Sequence, residues 1–174
     1  MSVERFGAVT TKGNPLTVIG SPLSVGDKAP DFVLRRTVAD TLTLADSAGK
    51  VRLISVVPSL DTGICDAQTR RFNEEAAGLG DDVAIITVSA EHPFNIRRWC
   101  GAAGIEQVNV LSDHLDMSFG TAYGTYIKEW RLEQRSIFVI DRDDVVRYVE
   151  YVPEIAQFPD FDGALAAVRS LLAE

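Results

Sequence analysis

Cysteine and histidine are both scarce in this chain of 174 residues, which holds only two of each. Two cysteines are too few for the disulfide framework of a small secreted scaffold. The cysteines and histidines also lack the close C-x₂₋₄-C and H-x₃₋₅-H pairs of structural zinc sites, so we expect no metal. In a reducing compartment, transient redox chemistry is the better-attested use of such cysteines.

Long apolar runs and an excess of positive charge are also missing. No run approaches the roughly 20 residues of a membrane-spanning helix, and the first fifteen residues lack the apolar segment of a secretory signal. The 25 acidic residues outnumber the 17 Lys and Arg residues, which gives a net charge of −8. We therefore expect no nucleic-acid or membrane partner, because those surfaces attract basic patches. A cytoplasmic protein with one domain over residues 1–174 is expected.

The segment VRLISVVPSLDTGIC, residues 51–65, combines a strand pattern with a cysteine. Its apolar run ends at Pro58, which indicates a buried strand, and Cys65 follows in the first turn of a predicted helix. Partial positive charge at a helix N-terminus stabilises a thiolate more than a thiol, which favours a reactive cysteine. A buried structural thiol is the alternative, since cysteine is among the most buried residue types.

Strand and helix patterns alternate along the chain. Predicted strands cover two segments within 5–19 and then 31–37, 51–57, 83–89, 109–111, 136–140 and 145–151, while 41–44 is predicted as a short strand or a turn. Predicted helices cover 63–78, 93–102, 115–123 and a last segment from 160–162 to 172, while 46–50 and 125–134 are predicted as loops. This order predicts an α/β fold, a thioredoxin-like mixed sheet flanked by helices, with an added N-terminal β-hairpin over residues 1–20.

The four residues Thr62-Gly63-Ile64-Cys65 stand where thioredoxin-like disulfide exchangers carry C-x-x-C. Threonine replaces the first cysteine, which weakens a dithiol-exchange interpretation. A threonine hydroxyl can donate to a thiolate while it accepts a hydrogen bond from a substrate O–H. The motif thus favours a thiolate that acts on a bound substrate.

The segment PSLDTGIC at 58–65, followed by QTRRFN, resembles the active-site segment of peroxiredoxins of the thiol peroxidase subgroup. KGNPLTV at 12–18 resembles the N-terminal hairpin of that subgroup, and PFNIRRWCGAAGI at 93–105 resembles its resolving-cysteine helix. RSIFVID at 135–141 resembles the strand that carries its active-site arginine. The resemblance extends from about residue 12 to the C-terminus.

This resemblance implies five residue roles. Cys65 corresponds to the peroxidatic cysteine, and Thr62 to the threonine that hydrogen-bonds the thiolate and the peroxide. Pro58 corresponds to the proline that shields the pocket, and Arg135 to the arginine beside the thiolate. Cys100 corresponds to the resolving cysteine, which forms an intrasubunit disulfide in this subgroup.

The resemblance also implies an activity and partners. Hydrogen peroxide and alkyl hydroperoxides would be reduced to water and alcohols in antioxidant defence, with thioredoxin as reductant, a homodimeric assembly and no cofactor.

Ionisation alone multiplies the thiolate fraction of an ordinary cysteine at pH 7 by only about 30-fold. Enzymatic accelerations are about 10⁶ or more, so hydrogen-bond donors aimed at the peroxide oxygens must supply most of the effect.

Structural alternatives exist for most of these residues. Pro58 can end a strand, Thr62 can cap a helix, Arg135 can be a solvated arginine, and Cys100 can be a buried helix residue. Two further functions are open, a thiol–disulfide oxidoreductase and a non-catalytic thioredoxin-like binding module. We interpret His92 as a helix-start residue rather than a base.

Two expectations concern geometry. Cys65 and Cys100 lie on different predicted helices, so we expect the reduced pair to be apart and a helix segment to unwind locally when the disulfide forms. Gln68, one turn after Cys65, can face either the pocket or the solvent.

Overall fold

The computed structural model describes residues 2–174. The strands are β1 (Glu4–Thr11), β2 (Asn14–Ile19), β3 (Val33–Arg35), β4 (Thr41–Thr43), β5 (Val51–Val56), β6 (Val83–Ser89), β7 (Asn109–Ser112), β8 (Tyr126–Ile127), β9 (Leu132–Glu133), β10 (Ser136–Ile140) and β11 (Val146–Tyr151). The helices are α1 (Gly63–Leu79), α2 (Pro93–Ala103), α3 (Ser118–Tyr123) and α4 (Phe161–Leu172). Over the described range, no helix combines the length and the hydropathy needed to cross a bilayer.

Seven strands form the main sheet in the order β11-β10-β5-β6-β7-β3-β4. The central strands β5, β6 and β7 are parallel, because α1 and α2 carry the chain back across the sheet between them. The outer strands are antiparallel to their neighbours. The predicted mixed sheet is confirmed.

Alternate residues of the central strands face two separate cores. On β5, Leu53 packs with the residues of α1, α2 and α4, whereas Ile54 packs against α3 on the other face. The same alternation places Val139 of β10 in the first core and Phe138 in the second. Helices on both faces therefore bury the central strands and hold their carboxyl ends in fixed positions.

The N-terminal hairpin is confirmed, and it belongs to a second sheet of four strands in the order β1-β2-β8-β9. The prediction of a loop over 125–134 is wrong, because Val18 and Ile19 of β2 pair with Ile127 and Tyr126 of β8. Two-residue strands are too short to show a period in sequence. They form here because the hairpin offers an edge and a small core of Val9, Leu16, Val18 and Ile127.

Two other differences from the prediction have a local hydrogen-bonding cause. The helix predicted from 115 begins at Ser118, because the Asp113 carboxylate accepts the amide protons of Phe119 and Gly120 and fixes the first turn there. The segment Leu44–Ser47 forms a 3₁₀ helix, in which the Asp46 side chain accepts from the Thr43 amide.

A buried carboxyl pair joins α3 to the second sheet. Glu133 is fully buried and Asp113 is 1% exposed, and the hydroxyl of Thr125 donates to Glu133. Burial, reinforced by the Asp113 charge, raises the pKa of Glu133 well above its ordinary value. Burial also raises the pKa of Asp113, so it opposes the ionisation of both carboxyls of this pair.

Candidate active site

Cys65 lies in the first turn of α1, immediately beyond the carboxyl end of β5. Pro58 is buried where the strand ends, and the chain then turns toward the helix. Helix α1 begins after Thr62, and the first intrahelical bond runs from the Asp66 amide to the Thr62 carbonyl over 2.9 Å. The amides before Asp66 thus have no intrahelical partner, and the positive end of the helix lies beside Cys65. Cys65 itself is fully buried.

Arg135 directs its guanidinium at the sulfur of Cys65. Its Nη2 atom lies 3.4 Å from the Cys65 Sγ atom and donates to the Ile155 carbonyl over 3.0 Å. Its Nη1 atom donates to the Gln68 Oε1 atom over 2.8 Å. Arg135 is only 1% exposed, so the alternative of a solvated arginine is wrong.

Arg135 has no carboxylate partner. Among the ion pairs formed within residues 2–174, none includes this guanidinium. A buried cation without a counter-charge is costly, and within residues 2–174 the only ionisable group to which Arg135 hydrogen-bonds is the thiol of Cys65. The arrangement places a buried positive charge next to the Cys65 sulfur.

Gln68 faces the site and is fully buried, which answers the question left open by its position in the helix. Its Nε2 atom donates to the Ser55 hydroxyl over 2.7 Å, so the amide oxygen is turned toward Arg135. The spacing of three residues from Cys65 was the signal that placed it on the same face of α1. The carbonyl of Ile155 had no such signal, because backbone groups of a loop leave no pattern in the sequence.

Thr62 is exposed at the mouth of the site. It stands at the cap position of α1, yet its hydroxyl donates to the Ser59 carbonyl over 3.2 Å rather than to the helix or to Cys65. The oxygen keeps its capacity to accept a hydrogen bond from a bound molecule. Thr62 lines a cavity of about 360 Å³ together with Gly63, Ile64, Arg135, Ile155 and Ala156.

Glu91 fixes the turn that precedes Cys65, and no pattern in the sequence singles this residue out. Its carboxylate accepts from the Leu60 amide and from the Ser59 hydroxyl, each over 3.0 Å. The Ser89 hydroxyl donates to the same carboxylate over 2.9 Å. The loop after β6 therefore holds the loop after β5, next to the start of α2.

Cys100 lies on α2, and both cysteines are free thiols. Cys100 is half-buried, and this burial raises the pKa of its thiol. His92 caps the N-terminus of α2, and its Nδ1 atom accepts the Phe94 amide proton over 3.3 Å, which confirms the helix-start interpretation. The structure thus brings Thr62, Cys65 and Arg135 together and leaves Cys100 on the neighbouring helix.

Arg70 connects the two cysteine-bearing helices. From α1, it donates to the Ala103 carbonyl at the end of α2 over 3.0 Å, and its guanidinium lies 5.9 Å from the Trp99 ring centre. Asp66 accepts from the same guanidinium over 2.8 Å and holds it in place. This contact restrains the C-terminal turn of α2, which carries Cys100.

Known proteins share this fold and sequence. Residues 24–165 match the Redoxin family model. A thiol peroxidase from Halalkalibacterium halodurans is 55% identical over 167 residues, which is 96% of this chain and 100% of the relative. A thiol peroxidase from Bacillus subtilis is 54% identical over 164 residues, 94% of this chain and 98% of the relative.

A solved structure supports the same assignment. The crystal structure of a peroxiredoxin-like protein from Aquifex aeolicus superposes with a TM-score of 0.87 at 35% identity and covers 98% of each chain. It confirms the thioredoxin-like peroxiredoxin fold. The chain therefore belongs to the redoxin family, within the thiol peroxidase subgroup of the peroxiredoxins.

Proposed function

We propose that this chain reduces hydrogen peroxide and organic hydroperoxides through a sulfenic acid on Cys65. One observation carries the assignment of that residue: the buried guanidinium of Arg135 lies 3.4 Å from the Cys65 sulfur and has no carboxylate partner in the described chain. A thiolate is the nucleophile in thiol chemistry, and this cation stabilises it where water cannot.

In the first step, the Cys65 thiolate attacks one peroxide oxygen and the O–O bond breaks. The attacked oxygen stays on sulfur as the sulfenic acid, and the other leaves with a proton as water or an alcohol. Donors near the sulfur stabilise the charge that develops on the oxygens, and we assign this role to Arg135 and the free amides of the first turn of α1. We assign the Thr62 hydroxyl oxygen the role of accepting the hydrogen bond of the peroxide O–H. Pro58 shields the buried thiolate from water.

In the second step, the Cys100 thiolate attacks the sulfenic sulfur and displaces hydroxide, which leaves an intrasubunit disulfide. Cys65 is fully buried on α1 and Cys100 lies on α2, and we propose that a segment of one of these helices opens locally when the bond forms. A thioredoxin-type dithiol then reduces the disulfide and restores both thiols. We further propose a homodimer in the cytoplasm.

Thiol titration after one equivalent of peroxide tests this function. The wild type should lose both thiols and gain an internal disulfide that a thioredoxin system reduces. Cys65→Ser should keep its remaining thiol, and Cys100→Ser should convert Cys65 to a sulfenic acid trapped by dimedone. Two unchanged thiols in the wild type would refute the peroxidase and favour a binding module, whereas insulin reduction without peroxide consumption would favour an oxidoreductase.

A further inference from the structure

The turn of the N-terminal hairpin contacts the loop that borders the candidate active site. Between β1 and β2, Lys12 and Gly13 both have positive φ angles, as a two-residue hairpin turn of the primed type requires. Their amides donate to the Glu154 carboxylate over 3.0 Å and 3.3 Å, and the Thr10 hydroxyl donates to it over 2.7 Å. One carboxylate thus gathers three donors from the hairpin.

Backbone bonds continue this contact on both sides of Glu154. The Thr10 amide donates to the Pro153 carbonyl over 2.8 Å, and the Ile155 amide donates to the Thr10 carbonyl over 3.0 Å. The Ile155 side chain packs against the small hydrophobic core of the second sheet. The loop after β11 is therefore joined to the hairpin at three successive residues.

The same loop reaches the reactive sulfur through a single residue. The Ile155 carbonyl accepts a proton from the Arg135 Nη2 atom over 3.0 Å, and that nitrogen lies 3.4 Å from the Cys65 sulfur. The Arg135 Nη2 atom contacts both the Ile155 carbonyl and the Cys65 sulfur. A shift of that carbonyl therefore changes the direction in which the guanidinium points. The hairpin and the sulfur are linked by Glu154, Ile155 and Arg135 in series.

Most residues of the loop around this contact are exposed. Pro153 is exposed, and so are the three residues after Ile155, including Phe158 at 54% exposure. Hydrogen bonds to an ionised carboxylate are about twice as strong as neutral ones, so Glu154 supplies much of the restraint. These bonds also lower the pKa of Glu154, with the Thr10 hydroxyl as the largest cause, and keep the carboxylate ionised near neutral pH.

We propose that Glu154 is a positioning residue, which uses the N-terminal hairpin to hold the Ile155 carbonyl and thereby aims Arg135 at the Cys65 thiolate. The proposal rests on the proposed role of Cys65. It also gives the hairpin, which lies outside the matched residues 24–165, a part in the chemistry. Small displacements of catalytic groups lower rates by up to about 100-fold, and we expect about 10-fold here because the displaced group acts through Arg135.

The test compares Glu154→Ala, Glu154→Gln and Thr10→Val in a Cys100→Ser background. The readouts are the rate constant of Cys65 with hydrogen peroxide, its alkylation rate by iodoacetamide at pH 7, and the thermal midpoint. We expect Glu154→Ala to lower both rates about 10-fold. Glu154→Gln and Thr10→Val should lower both rates less, because each keeps some of the hydrogen bonds between residue 154 and the hairpin.

Glu150→Ala is the matched control. Glu150 is a partly buried carboxylate near the end of β11 that accepts the Asp160 amide proton over 2.9 Å, yet it forms no hydrogen bond with the described residues of the hairpin. The Glu150→Ala substitution should lower the thermal midpoint without changing the rate with peroxide or the rate of alkylation. The proposal is wrong if Glu154→Ala and Thr10→Val react within twofold of the parent, or if Glu150→Ala loses as much rate as Glu154→Ala.

The peroxide rate and the alkylation rate together distinguish a failure of the role proposed for Glu154 from a failure of the proposed peroxidase function. A parent that is inert to peroxide refutes the peroxidase, while its alkylation rates still test the role of Glu154. If Glu154→Ala does not fold, Glu154→Gln and Thr10→Val decide the question, since each removes fewer bonds. Equal alkylation rates in these folded variants and the parent would overturn the proposal.

Discussion

Replacing Arg135 with methionine removes the charge beside the reactive sulfur and keeps most of the side-chain volume. At the observed 3.4 Å separation and an effective dielectric constant of about 20, the attraction between guanidinium and thiolate is about 5 kcal/mol. The net stabilisation from a hydrogen bond to a charged group is smaller than this attraction, about 1.5–3 kcal/mol. We use the smaller value, which corresponds to a rate loss of about 10- to 150-fold.

The same change should alter folding much less than reactivity. It leaves the Gln68 oxygen and the Ile155 carbonyl without a donor, which costs about 1–3 kcal/mol each. It also removes a buried cation, whose desolvation costs several kcal/mol. Because the two effects oppose each other, we expect reduced Arg135→Met to unfold in urea close to the wild type.

Stopped-flow mixing with peroxide in a Cys100→Ser background isolates the first step. Arg135→Lys is the control, since it keeps a charge that cannot bind Gln68 and Cys65 together, and it should fall between methionine and the parent. A folded Arg135→Met that reacts within threefold of the parent would refute the role of the guanidinium.

Three further predictions follow from the structure. Because burial raises the pKa of the Cys100 thiol, the rate of disulfide formation should still be rising at pH 9. Rapid quench after a pulse of peroxide measures this rate, and a rate that does not change with pH would contradict the prediction. Arg70→Ala frees the end of α2 and should accelerate disulfide formation about fivefold in the same assay, so an unchanged or slower rate would show that the contact does not restrain the helix. Glu133→Gln should stabilise the protein increasingly with pH. The folded state holds a proton on Glu133 that the unfolded chain releases above about pH 4.3, so wild-type stability falls by up to about 1.4 kcal/mol per pH unit above that point until the raised pKa is reached. Urea unfolding at pH 5 and pH 8 measures the difference between variant and wild type, and an equal difference at both pH values would refute it.

Local patterns were enough to predict the main sheet and the position of Cys65. The apolar run before Pro58 and the helical spacing after Gly63 need no long-range information, and the structure places β5 and α1 there. The short strands of 125–134 could not be predicted, because they exist through pairing with the distant hairpin.

Some residues of the site could also be predicted from the local sequence, whereas others are brought there only by the tertiary fold. Thr62 and Cys65 belong to one motif, and Gln68 shares their helix, so their proximity follows from helix geometry. The Ile155 carbonyl and the Glu91 carboxylate reach the site from separate loops. Their contributions depend on the tertiary fold, and a single sequence carries no sign of them.

Stopped-flow tryptophan fluorescence of the reduced protein after mixing with hydrogen peroxide tests the two-cysteine mechanism most directly, because Trp99 adjoins Cys100 and reports on its helix. We expect a fast phase that is absent in Cys65→Ser and a slower phase that is absent in Cys100→Ser. The absence of any peroxide-dependent phase, with both thiols still free, would contradict it.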